Sequence, residues 1–121
     1  MSSLSCSKIA EVSGTVLHGA GQGGVFGFPT ANITFYQTDI AGTYAGEVVF
    51  AGQVYQSAIY VDQERKLLEA HLFGFSQDLY GEDITVTLFQ KIAETEEFTR
   101  VAALKKKIAR DVEAVKKYFS A

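Results

Sequence analysis

Short runs of alternating apolar and polar residues fill the first three quarters of this chain, and a different period takes over at its end. Ile9 to Leu17 alternates around Gly14, with Val16 and Leu17 as good strand formers. Tyr44 to Phe50 reads as a strand broken by Ala51-Gly52, and Gln53 to Val61 reads as its hairpin partner. Asp62-Gln63-Glu64-Arg65 is a polar turn, and Lys66 to Phe73 is the next strand. Asp78 to Asp83 forms another turn before a last strand from Ile84 to Ile92. Short strands joined by tight turns predict a sheet that closes into a barrel. Beyond it, Val101, Leu104, Ile108, Val112, Val115 and Phe119 recur at spacings of three and four. That is the stripe of an amphipathic helix, with Lys105, Lys106, Arg110, Glu113 and Lys117 on the wet side and Thr99 as a suitable N-cap. The predicted architecture is mainly β: an antiparallel barrel over about residues 8–92 and a C-terminal α-helix over about 99–119, in a single domain spanning 1–121.

Composition narrows the class. A chain of 121 residues, 47% of them hydrophobic, suits one domain with its own core. Cys6 is the sole cysteine, so neither an internal disulfide nor a cysteine metal pair is available. The first residues lack the apolar run of a signal peptide, and no stretch approaches the roughly 18 apolar residues of a membrane span. The expected setting is the cytoplasm, with no membrane partner. A net charge of -3 argues against a dedicated nucleic-acid binder. Thr99 to Ala121 nevertheless holds seven Lys or Arg against two acids, which fits a solvated helix face or a contact with a phosphate or acidic partner.

Three features carry candidate chemistry. Gly19, Gly21, Gly23, Gly24 and Gly27 place five glycines in nine residues, which makes a permissive loop. The string from Gly19 to Gly24 matches G-x-G-x-x-G literally, yet Phe26-Gly27-Phe28-Pro29 follows where a dinucleotide fold needs a helix to begin. The dinucleotide reading fails on that ground, although backbone N–H groups of such a loop can still cradle phosphates. Thr30 and Asn32 flank Ala31, so in extended chain both side chains project to one face. A hydroxyl and an amide carbonyl are hard oxygen donors of the kind Mg²⁺ accepts beside nucleotide phosphates, with Pro29 stiffening the entry. An Asx-type turn would use Asn32 equally well. Finally, alternation in Leu67 to Phe73 sets Leu67, Glu69, His71 and Phe73 on one face and Leu68, Ala70 and Leu72 on the other. A carboxylate at Glu69 is costly to bury unless it is paired or used as a base; on pattern alone it fits the outer face of a barrel as well.

Together these segments resemble the riboflavin kinase family. The likeness is carried by Gly14-Thr15-Val16-Leu17-His18-Gly19, the glycine loop, and Gly27-Phe28-Pro29-Thr30-Ala31-Asn32. It continues through Gly42-Thr43-Tyr44-Ala45, Leu68-Glu69-Ala70-His71-Leu72, Asp78-Leu79-Tyr80-Gly81 and Phe98, in order from about residue 12 to residue 118. The resemblance implies a six-stranded Greek-key barrel with a C-terminal helix, acting as a monomer. It implies ATP-dependent phosphorylation of riboflavin to FMN, with ADP as the second product. Nucleotide binding falls to Gly19, Gly21, Gly23, Gly24, Gly27, Pro29, Thr30 and Asn32. Thr30 and Asn32 hold Mg²⁺ (or Mn²⁺ or Zn²⁺), and Glu69 is the general base on the ribityl 5′-hydroxyl. No adenylyltransferase (FAD synthetase) domain is expected beside this module, and FAD synthesis is therefore not expected. Ala93 stands where many bacterial members carry an arginine, and Lys91 is the nearest candidate replacement for that charge. Two other functions suit the same residues: a non-catalytic flavin- or nucleotide-binding module, and a kinase for another small alcohol.

Overall fold

The strand-forming runs pair antiparallel throughout. In the computed structural model, which describes residues 8–18, 30–75 and 77–120, the strands are β1 (Ala10–Thr15), β2 (Ala31–Thr34), β3 (Gly42–Phe50), β4 (Gln53–Asp62), β5 (Leu67–Leu72) and β6 (Asp83–Ala93), followed by helix α1 (Val101–Ser120). The sheet order is β1-β6-β3-β4-β5-β2. Strands β3, β4 and β5 form a meander, and β6 returns to lie beside β3, which is the Greek-key order. The two edges meet where the Leu17 N–H donates to the Asn32 carbonyl at 2.7 Å, so the six-stranded sheet is nearly closed. Closure brings β1 and β2 into tight contact. A Cβ on Gly14 would stand 3.3 Å from Cβ of Ile33.

Turn chemistry fixes the register. Ala51 and Gly52 both have positive φ, at 52° and 77°, as a two-residue hairpin turn of type I′ requires. The turn after β4 is built around Asp62, whose Oδ1 accepts from the Arg65 N–H at 3.1 Å. Lys66 then takes a left-handed φ of 56° as the last residue of the turn before β5.

Two apolar clusters form, one on each face of the sheet. Inside the barrel, Ile33, Val48, Ile59, Val61, Leu68 and Leu88 are wholly buried. Outside it, Ala45 and Ala58 are register partners on β3 and β4, and Val112 and Val115 of α1 pack onto them. Two alanines side by side leave room for a helix to lie close to the strands. The helix thus covers part of the outer barrel face, touching β3, β4 and β6. Thr99 is not its cap: the helix begins at Val101, and the Arg100 carbonyl accepts the first helical bond, from Leu104.

Candidate functional site

Strand register lines four polar side chains across the outer face of the barrel. Asn32 on β2 is paired with Glu69 on β5, Glu69 with Tyr60 on β4, and Tyr60 with Thr43 on β3. The alternation expected in β5 holds, because Leu68, Ala70 and Leu72 enter the interior core while Glu69 faces outward. Facing outward does not mean facing water here. Asn32 and Glu69 are each only 5% exposed, and around Glu69 the β4–β5 turn, the segment after β6 and α1 rise as walls.

These walls enclose a cavity of about 770 Å³, within the range of small-molecule sites. Its polar lining includes Thr30, Glu69, Arg65, Lys107 and Asp111, and its apolar lining includes Ala58, Phe98, Leu104 and Ile108. The Thr30 hydroxyl donates to Oδ1 of Asn32 at 3.3 Å, so the two side chains share one face. That oxygen–oxygen spacing is near the roughly 3 Å edge of an octahedron with the 2.0–2.1 Å bonds of Mg²⁺. The pair therefore fits a small hard cation that also keeps water and phosphate oxygens. Among the described residues no group of three or more His, Cys, Asp or Glu is placed to hold a metal by itself.

Burial pushes the Glu69 carboxyl above its ordinary pKa, the Arg65 guanidinium pulls it back down, and Asp62 adds a further upward push. Arg65 Nη2 stands 3.3 Å from Glu69 Oε2, and its Nε is 3.5 Å from Asp62 Oδ2. The Tyr60 phenol is also raised, first by burial, with a hydrogen bond to Thr95 opposing the rise. A shielded carboxylate beside two hard oxygen donors and a roomy cavity is suited to taking a proton from an alcohol placed there.

The structure brings Thr30, Asn32 and Glu69 together as the sequence suggests. Gly19, Gly21, Gly23, Gly24, Gly27 and Pro29 lie outside the described residues. Lys91 pairs with Glu94 at 2.7 Å and does not line the cavity. The cations that do are Arg65 and Lys107, neither of which the sequence singled out. Arg65 was hidden inside a polar turn. Lys107 and Asp111 were legible in principle, since they fall on the apolar stripe between Leu104 and Val115 at helical spacing.

A family profile described as flavokinase, riboflavin kinase, matches residues 7–119. The chain is 34% identical over 122 residues to a bifunctional riboflavin kinase/FMN adenylyltransferase of Haemophilus influenzae, covering 93% of this chain and 40% of that one. It spans less than half the length of the curated relatives it matches. Among solved structures, riboflavin kinase from Trypanosoma brucei superposes with a TM-score of 0.63 at 21% identity, over 91% of this chain and 76% of that one, a likeness of fold. A Streptococcus pneumoniae chain described as a macrolide-efflux protein superposes with a TM-score of 0.74 at 27% identity, over 88% of this chain and 38% of that one. The barrel topology, the Thr30–Asn32–Glu69 constellation and a family match over nearly the whole length agree: this chain belongs to the riboflavin kinase family.

Proposed function

We propose that this protein transfers the γ-phosphoryl group of ATP to the 5′-hydroxyl of riboflavin, giving FMN and ADP. The observation that carries the reading is that Thr30 and Glu69 line one cavity while Asn32, bonded to Thr30, is the register partner of Glu69, in a chain with the family match. Glu69 accepts the proton of the ribityl 5′-hydroxyl. The freed oxygen attacks the γ-phosphorus in line, and the bond to the β–γ bridging oxygen breaks to release ADP. Thr30 and Asn32 would hold Mg²⁺ through the hydroxyl and amide oxygens. When bound, the ion neutralises charge on the phosphates. Arg65 offsets part of the upward push that burial gives the Glu69 carboxyl and borders the cavity beside it. The apolar walls exclude water from the transferring group, which limits loss of phosphate to hydrolysis. The glycine loop from Gly19 to Gly27 serves the nucleotide by its backbone N–H groups.

Incubating the protein with riboflavin, ATP and Mg²⁺ and separating flavins by chromatography tests this directly. FMN is expected, and Glu69→Gln is expected to slow its formation by about 100-fold or more. Undiminished FMN production by folded Glu69→Gln would remove Glu69 from the role of base. Riboflavin binding without any FMN would leave a binding module instead of a kinase.

A further inference from the structure

Helix α1 carries a buried ion pair that catalysis at Glu69 does not use. Lys107 and Asp111 sit one helical turn apart, 6% and 7% exposed, with Lys107 Nζ bonded to Asp111 Oδ2. The Thr43 hydroxyl donates to the same Oδ2 at 3.3 Å. Both charged residues line the cavity. Taking two charges out of water is costly, and an apolar pair of similar volume usually serves packing as well or better. The apolar contacts of Val112 and Val115 already dock the helix. A buried pair in a cavity wall therefore calls for a role in the cavity.

Its hydrogen-bonding capacity is only partly used. An ammonium has three donors; one is committed to Asp111, and Glu96 Oε2 stands 3.9 Å away, beyond hydrogen-bond reach. Oδ1 of Asp111 has Arg110 Nε as a neighbour at 3.8 Å, which is again too long. The pair thus offers the cavity a charged donor next to a charged acceptor. The complement of that pattern is a ring edge with a carbonyl beside an N–H, as in a cyclic imide.

The register row sets the distance of this pair from the reacting end. Asp111 is bonded to Thr43, and Thr43 is two strands from Glu69 and three from Asn32 along the row. At 4.7–4.9 Å per strand that is roughly 10 Å to the base and roughly 14 Å to Asn32. An extended ribityl chain carrying an isoalloxazine ring separates its 5′-hydroxyl from its imide N3 by on the order of 10 Å, from ordinary bond lengths.

We propose that Lys107 and Asp111, held by Thr43, bind the imide edge of the flavin ring and so determine substrate specificity. The proposal rests on the riboflavin reading above. It gives the cavity a polarity: phosphoryl transfer at Thr30, Asn32 and Glu69, ring recognition at α1, and the apolar walls against the faces of the ring.

The test compares the affinity of the full chain for riboflavin with that for 3-methylriboflavin, by flavin fluorescence titration. The unaltered protein should prefer riboflavin by on the order of 10- to 100-fold, the worth of a hydrogen bond to a charged group. Lys107→Met with Asp111→Leu replaces the pair by apolar side chains of similar size. It should keep the melting temperature and bring the preference close to one. Asp111→Asn, which is isosteric, serves where the double variant does not fold and should also reduce the preference. Equal affinity for both flavins in the unaltered protein overturns the proposal, as does a preference unchanged in either folded variant. FMN formation accompanying such a result leaves the kinase reading standing. Absence of any flavin binding or turnover in the unaltered protein overturns the kinase reading, and this inference with it.

Discussion

Glu69 shows how one residue can be costly to the fold and still belong in it. It is 5% exposed, and its nearest cation, Arg65, has a side chain 41% exposed to solvent. An ion pair with one partner that wet recovers little of the desolvation cost. The folded state therefore favours the protonated carboxyl, and the pKa rises with burial as the leading cause. Below about pH 4, folded and unfolded chains both carry the protonated group, and Glu69→Gln should change stability little. As pH rises through the elevated folded-state value, only the native state bears the cost of ionising a buried carboxyl. The variant should then become the more stable protein, by about 0.5–2 kcal/mol near pH 8, as is common when a strained site residue is removed. Thermal unfolding of both proteins at pH 4 and pH 8 checks this. A gain at pH 4 that disappears at pH 8 would contradict it.

Among the elements, β3 and β6 approach closely at Gly46. Their pairing shifts register between Ala45 and Gly46, and a Cβ on Gly46 would lie 2.2 Å from the Thr87 carbonyl oxygen and 2.5 Å from Cδ1 of Ile59. Neither neighbour can yield cheaply, because one is ladder backbone and the other is a wholly buried core side chain. Gly46→Ala should cost about 1–3 kcal/mol by overpacking, read as a lowered midpoint in urea unfolding. Gly52→Ala is the control. Its Cβ meets nothing within 4 Å, and its penalty is confined to the positive φ of 77°. Equal stability of Gly46→Ala and the parent protein would mean that the β3–β6 bulge relaxes freely. The same small-residue logic governs α1, whose approach to the sheet depends on Ala45 and Ala58.

At the scale of the whole molecule, the site exists because the barrel and the helix share a surface. The cavity has barrel residues on one wall and Leu104, Lys107, Ile108, Asp111 and Val112 of α1 on the other. The helix adds a second apolar cluster and the Thr43–Asp111 hydrogen bond to that contact. We expect the chain to behave as a single domain. Circular dichroism at the helix band and tyrosine fluorescence, from Tyr118 of the helix and five tyrosines outside it, should report one coincident unfolding transition. A helix that melts ahead of the barrel would separate the two units, and riboflavin affinity would then be lost with the helix signal.

Local pattern determined much of this protein. The strand runs, the Ala51-Gly52 turn, the terminal helix stripe and the placing of Glu69 on the face opposite Leu68, Ala70 and Leu72 all follow from periods of two and of 3.6, which are properties of neighbouring residues in the chain. Thr30 and Asn32 were legible for the same reason, since their shared face needs only an extended tripeptide. The N-terminal boundary of α1 lies two residues later than the sequence suggests, because capping depends on a backbone turn that residue type alone does not set. Tertiary structure alone decided that Glu69 lies on the outer face of the barrel and is buried there, that Arg65 reaches it from a turn, and that Lys107 and Asp111 stand in a cavity wall. Those facts depend on strand register and on where a helix lies against a curved sheet. Both are settled by the packing of segments far apart in the chain, and no short window of sequence records them.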